Sequence, residues 1–184
     1  MKKLVSVLMA AAMILCMAAC GNDEKVIGEE AQSGAQSGEA QSGQSGSQGS
    51  YNGYAFTAGG TTVQVDADFA PVLEKLGEPL SYFEAASCAF EGLDKTYTYS
   101  GFQIITYPDG EKDCVSTIVL KDDSVSTAEG VSIGESKERL QEVYGSGSEE
   151  GNMIVYAKGD MKLCFIMQND EIASIEYRSK VLEV

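Results

Sequence analysis

The chain has 184 residues and a formal net charge of −15, from 28 Asp and Glu against 13 Lys and Arg. That excess repels phosphate backbones and anionic headgroups, so nucleic acid is excluded as a partner. There is no His and no Trp, which removes the commonest general base and any Ser-His-Asp or Cys-His arrangement, and with no Cys-x-x-Cys spacing either the usual zinc ligand sets are missing.

Met1-Lys2-Lys3 is a short basic start, and residues 4–19 follow without a charge. Met17-Ala18-Ala19-Cys20 closes the run, and the chain then turns polar at Gly21-Asn22-Asp23-Glu24. A basic start, an apolar stretch, small residues and a cysteine make a bacterial lipoprotein signal peptide, here residues 1–19. The apolar run falls short of the ~20 residues that span a bilayer, which argues against an uncleaved membrane helix. Ordinary secretion, with Cys20 a bystander, is the other alternative. Lipidation of Cys20 by two or more palmitate-like chains gives stable attachment. The implied location is the cell membrane, on its extracellular face, with the lipid as the membrane contact.

Residues 20–50 carry the lipidated Cys and a tether. Gln-Ser-Gly recurs at 32–34, 36–38, 41–43 and 44–46, and residues 28–50 contain no apolar side chain larger than Ala. Such a segment cannot bury enough surface to offset its chain entropy. Thirty residues of this composition reach roughly 30 Å, a length that suits a Gram-positive surface.

Residues 51–184 form one domain's length, with 10 Lys and Arg against 23 Asp and Glu. An acidic extracellular domain stays soluble and favours basic partners. Tyr54 to Val65, broken at Gly59-Gly60, predicts a leading hairpin. Residues 63–77 (VQVDADFAPVLEKLG) then align without gaps on 131–145 (VSIGESKERLQEVYG). Val63/Val131, Glu74/Glu142 and Gly77/Gly145 are identical in this alignment. Each copy predicts a short strand and a short helix, with Asp68 and Ser136 as N-caps and Gly77 and Gly145 as stops. Phe69, Val72, Leu73 and Leu76 share one helix face, as do Leu140, Val143 and Tyr144.

The strands pair off in the same way. Residues 102–107 (FQIITY) resemble 161–166 (MKLCFI), and 115–121 (VSTIVLK) resemble 172–178 (IASIEYR). Turns at Pro108-Asp109-Gly110 and Gln168-Asn169-Asp170 predict hairpins. The expectation is an α+β domain of two tandem repeats, about 51–130 and 131–184. Each repeat is a short helix followed by an antiparallel β-meander of three strands, with the helices on one face of the sheet. Whether there is one sheet or two stays open.

Cys88, Cys114 and Cys164 lie in strand-like runs and read as small buried hydrophobes. A Cys88–Cys114 disulfide is the alternative, and an odd count allows only one bridge. No cofactor or metal is implied. Asp109 to Asp113 lacks the alternating oxygen ligands of a calcium loop. Asp122-Asp123 and Glu149-Glu150 read as solvated loop charges. Tyr97 and Tyr99 sit two apart on one strand face, with Tyr107 and Tyr82 as neighbours. Asp94 and Lys95, in the turn beside them, complete a candidate partner-binding patch; core packing of the rings, with the hydroxyls at the edge, is the other reading.

The run SCAFEGLDKTYTY at 87–99, with TYPDG at 106–110 and VSIG at 131–134, resembles a group of uncharacterised small lipoproteins of anaerobic Gram-positive bacteria. More distantly, the repeated helix–Gly–meander unit is similar to the tandem repeats of β-lactamase inhibitor protein and to SmpA/OmlA-type envelope-assembly lipoproteins. Those folds are binding modules, so the resemblance implies a non-enzymatic role. The expected function is a lipid-anchored extracellular module that binds an envelope or secreted protein. The alternative is a small-molecule or peptide receptor with a pocket between helices and sheet.

Overall fold

The computed structural model describes residues 51–183. The signal peptide, Cys20 and the tether lie outside the described residues. Among those described, no helix is long and apolar enough to cross a membrane.

The leading hairpin forms, with β1 (Phe56–Ala58) pairing antiparallel with β2 (Thr61–Val63). Gly59 and Gly60 turn it at φ 56° and 79°, values that cost glycine little. Helix α1 (Ala70–Leu76) follows. Its Pro71 sits in the first turn, where a missing N–H costs nothing. Asp68 Oδ1 accepts from Ala70 N at 3.1 Å, one residue before the Phe69 N-cap. Gly77 ends the helix at φ 76°. Then come β3 (Ser81–Ala86), β4 (Leu93–Thr98), β5 (Phe102–Asp109) and β6 (Lys112–Leu120). Helix α2 (Lys137–Tyr144) is capped by Ser136, whose hydroxyl accepts from Arg139 N, and is ended by Gly145. The chain finishes with β7 (Ser148–Glu150), β8 (Met153–Lys158), β9 (Met161–Gln168), β10 (Glu171–Ser179) and a 3-10 turn, Lys180–Leu182.

Strands β3 to β10 form one antiparallel sheet in the order β3-β4-β5-β6-β10-β9-β8-β7. Its centre is the pairing of β6 with β10, where Ile175 meets Leu120 and Tyr177 meets Ile118. Alternation along each strand sends one set of side chains inward. One core row therefore crosses the sheet as Tyr97, Ile104, Ile118, Tyr177, Leu163 and Tyr156. Phe56 and Val63 from the hairpin, Val65 just after it, the N-cap Phe69 and Val72 of α1, and Leu140 from α2 join that core. The row next to it on the opposite face reads Phe83, Thr96, Ile105, Thr117, Arg178 and Lys162. Those six side chains are half-buried or exposed.

The expected α+β class with two helix-plus-meander repeats is therefore corrected. Among the described residues the fold is mostly β, built on one eight-stranded antiparallel sheet with two α-helices, of 7 and 8 residues. The reason lies in where apolar area is buried. Each helix has a single buried residue, Val72 or Leu140, whereas the sheet supplies most of the core. Two-turn helices cannot organise a domain and are held by the sheet. The strand count also differs, since Ser81–Ala86 and Ser148–Glu150 each add a strand to the three expected of a meander, and Glu149-Glu150 therefore stands in a strand rather than a loop. The Cys88–Cys114 bridge is corrected too. All three domain cysteines are free, Cys114 and Cys164 buried in β6 and β9 and Cys88 exposed beyond the end of β3.

Candidate functional site

The sheet has two edges, and one of them is unusual. All six residues of β3 are exposed. Leu80 before it is 76% exposed, Tyr82 49% and Phe83 66%, and Leu93 at the start of β4 is exposed beside them. Isolated exposed apolar residues are common, but a continuous apolar edge strand is a template for pairing with another chain.

The ladder shows which groups are free. Ser87 N donates to Gly92 O at 3.0 Å, and the register runs back through Ala85↔Asp94 and Phe83↔Thr96. In an antiparallel pair the bonded and non-bonded positions alternate. Residues 81, 83 and 85 thus bond inward to β4, and Tyr82, Glu84 and Ala86 turn N–H and C=O outward. The side chains of Tyr82, Glu84 and Ala86 lie on the core side of the edge, and those of Ser81, Phe83 and Ala85 on the open side. Tyr82 leans on Tyr97 at 5.1 Å between ring centroids, and Tyr97 rests on Phe69 at 4.6 Å. The edge is backed from beneath by this aromatic column.

Its electrostatics are acidic. Glu84 lies in the strand, Glu78 just before it, Glu91 in the β3–β4 connection, and Asp94 opposite Ala85. The ion pairs among the described residues involve none of these four. Lys95, cross-strand from Glu84, is bonded at 2.7 Å to Asp113, which raises its pKa. The Tyr82 hydroxyl donates to the Glu84 carboxylate, and that bond holds the phenol above its ordinary range.

The residues singled out by sequence occupy a different layer. Tyr97 and Tyr107 are each 7% exposed, so their rings belong to the interior. Tyr99 is half-buried, stacked on Phe102 at 5.1 Å, with its hydroxyl donating to Gly77 O at 3.2 Å. Asp94 and Lys95 stand in β4 rather than in the turn before it. Tyr97 and Lys95 share the core side of β4, one strand inside the edge, and Asp94 lies on its open side, while Tyr107 faces Phe90 at 4.9 Å and Asp66. Sequence reasoning missed Leu80 and Phe83. The readable signal was apolar character on both faces of one short run, which suits an edge open to a partner and no solvated loop.

A second concave feature lies elsewhere. A cavity of about 480 Å³ is lined by Tyr51, Gln64, Asp66, Asp160 and Met161 among others. Asp66 has φ 62°, a left-handed conformation rare outside glycine. Its N–H donates to Val115 O at 2.7 Å, and its carboxylate accepts from Ser179 Oγ at 2.6 Å and Tyr107 OH at 3.3 Å. Burial first, and then the Asp66 charge, push the Tyr107 phenol up. Burial also raises Tyr51, to about 12. Among the described residues no group of three or more His, Cys, Asp or Glu is placed to hold a metal.

No protein-family model matches this chain, and no curated protein does. Two solved structures are similar in part. One is an extracellular protein containing an SCP domain from Bacillus anthracis strain Ames, at 14% identity and TM-score 0.39 over 64% of this chain and 44% of that one. The other is a DUF4309 family protein from Bacillus subtilis subsp. subtilis strain 168, at 17% identity and TM-score 0.39 over 67% of this chain and 84% of that one. This chain thus spans less than half the length of the first. At such scores neither neighbour informs what this chain does.

Proposed function

We propose that this chain is a lipid-anchored extracellular module of the bacterial cell envelope that binds another envelope or secreted protein and catalyses nothing. The observation that carries the binding role is the β3 edge, a fully exposed strand bearing Tyr82 and Phe83 and flanked by Leu80 and Leu93. Covering a Leu or Phe side chain is worth about 1.5–3 kcal/mol, so a partner gains substantially there. The sequence at 1–20 supports the anchor, and the resemblance of 87–99 to small Gram-positive lipoproteins points the same way.

Immobilised chain from residue 21 onward, exposed to envelope and secreted extracts, should retain a partner that a Leu80→Ser/Phe83→Ser variant does not. Equal retention by both would sink the β3 surface as the binding site. Changing Cys20 to Ser should release the protein from the membrane fraction, and persistent membrane association would remove the lipid anchor from the reading. The cavity beside Asp66 favours a second reading, a small-molecule receptor. A metabolite thermal-shift screen in which Asp66→Asn abolishes a hit would support it.

A further inference from the structure

We infer that β3 takes an added β-strand from its partner, and that this strand alternates cationic with apolar residues. The inference rests on the protein-binding reading above and specifies its mode and chemistry. The backbone argument comes first. Tyr82, Glu84 and Ala86 present outward N–H and C=O groups, and β3 is the terminal strand of the sheet. An incoming extended chain would satisfy those groups by ladder bonds, the usual basis of strand addition.

The side chains then set the pattern. A residue placed opposite Glu84 lies on the core side of the edge, next to a carboxylate outside any ion pair of the described residues. Lys or Arg is favoured there, since opposite charges across a strand pair stabilise it. The residues before and after it fall opposite Phe83 and Ala85 on the open side, and apolar or β-branched groups fit those. Glu78, Glu91 and Asp94 extend the acidic field around the edge, within a domain of 23 acidic and 10 basic residues. That field steers a cationic strand inward.

Two other occupants fit less well. The chain's own tether, 28–50, contains no cation and nothing larger than Ala to meet Phe83. A second copy would bring two strongly acidic domains together, and the pairing centred on residue 84 would set Glu84 against Glu84.

The test uses the chain from residue 21 onward, which contains the whole described core, and synthetic peptides long enough to span β3. One alternates Val and Lys, and its counterpart alternates Val and Glu. Fluorescence anisotropy should show the Val-Lys peptide binding at least about five-fold more tightly than the Val-Glu peptide. Added salt should weaken it. Glu84→Pro should abolish binding with thermal stability unchanged, because the N–H it removes points away from β4 and proline is tolerated at such edge positions. Glu84→Lys should reverse the peptide preference.

Equal binding of the two peptides would overturn the cationic partner. Binding that survives Glu84→Pro would overturn strand addition. A dimer of the unmodified chain that Glu84→Pro dissociates would assign the edge to a second copy and overturn the inference. If Leu80→Ser/Phe83→Ser removes a retained envelope protein while neither peptide binds, protein binding stands and strand addition falls.

Discussion

The two edges of the sheet solve the same problem in opposite ways. Edge β7 is three residues long, Ser-Glu-Glu, and Glu149 is tied at 2.8 Å to Lys137 of α2. Short length and charge are standard protections against unwanted strand pairing. Edge β3 is twice as long, carries Tyr82 and Phe83, and has one charge within it. A protein that protects one edge so thoroughly has the means to protect the other. The difference shows that exposure at β3 does not come from poor packing, and it is the feature that the proposed binding role rests on. The packing beneath supports this, since Phe69, Tyr97 and Tyr82 stack in sequence from α1 to the edge.

The largest expected effect breaks that support. Phe69→Ala removes a fully buried ring from the column and should cost about 3–5 kcal/mol in urea unfolding. A loss under about 1 kcal/mol would mean that the β3 half is loosely packed after all.

Alkali asks whether both halves give way together. Burial raises the phenols of Tyr97 and Tyr99 on one side of the sheet, Tyr156 and Tyr144 on the other, and Tyr177 at its centre. The unfolded chain sheds these protons near the ordinary phenol value of 10.0, while the folded chain keeps them. Their contribution is therefore complete below pH 10 and falls as pH rises from there toward the folded values. Urea midpoints on either side of pH 10 should drop in a single transition, with phenolate absorbance appearing only on unfolding. Ionisation of several tyrosines before unfolding would contradict their burial.

Smaller still is the stability cost at the edge. Leu80→Ser and Phe83→Ser should each change unfolding stability by less than about 0.5 kcal/mol, as at other exposed sites, while removing the partner. A large stability loss would reclassify β3 as structural. The smallest effect is expected at β7, where Glu149→Val with Glu150→Val should produce at most weak self-association by sedimentation, since three residues offer too few ladder bonds. Strong association would show that charge alone, and not shortness, protects that edge.

Much of the fold was legible locally. The Gly59-Gly60 hairpin, the Ser136 cap, the Gly77 and Gly145 stops and the alternation of 102–107, 115–121 and 161–166 are short-range signals, and each marks an element where it stands. Helical periodicity shows an apolar face but not how little of it is buried, which here is one residue in each helix. In Ser81–Ala86 the apolar residues fall on both faces, so no period-two alternation marks the strand. Period two assigns the side chains of Tyr97 and Tyr99 to one face without saying whether that face is covered, so it does not separate a binding patch from the core.

The amino-acid sequence by itself determined the acidic charge, the chemistry excluded by the lack of His, the turns and the strand periodicity, all consequences of residue type and near neighbours. Only the tertiary structure decided that one sheet spans the domain, that β6 and β10 join at its centre, and that β3 is left as an apolar edge. Those outcomes depend on pairings between residues more than fifty positions apart, as in Ile118 with Tyr177. Such pairings are chosen by the joint burial of whole rows of side chains, which no local pattern encodes.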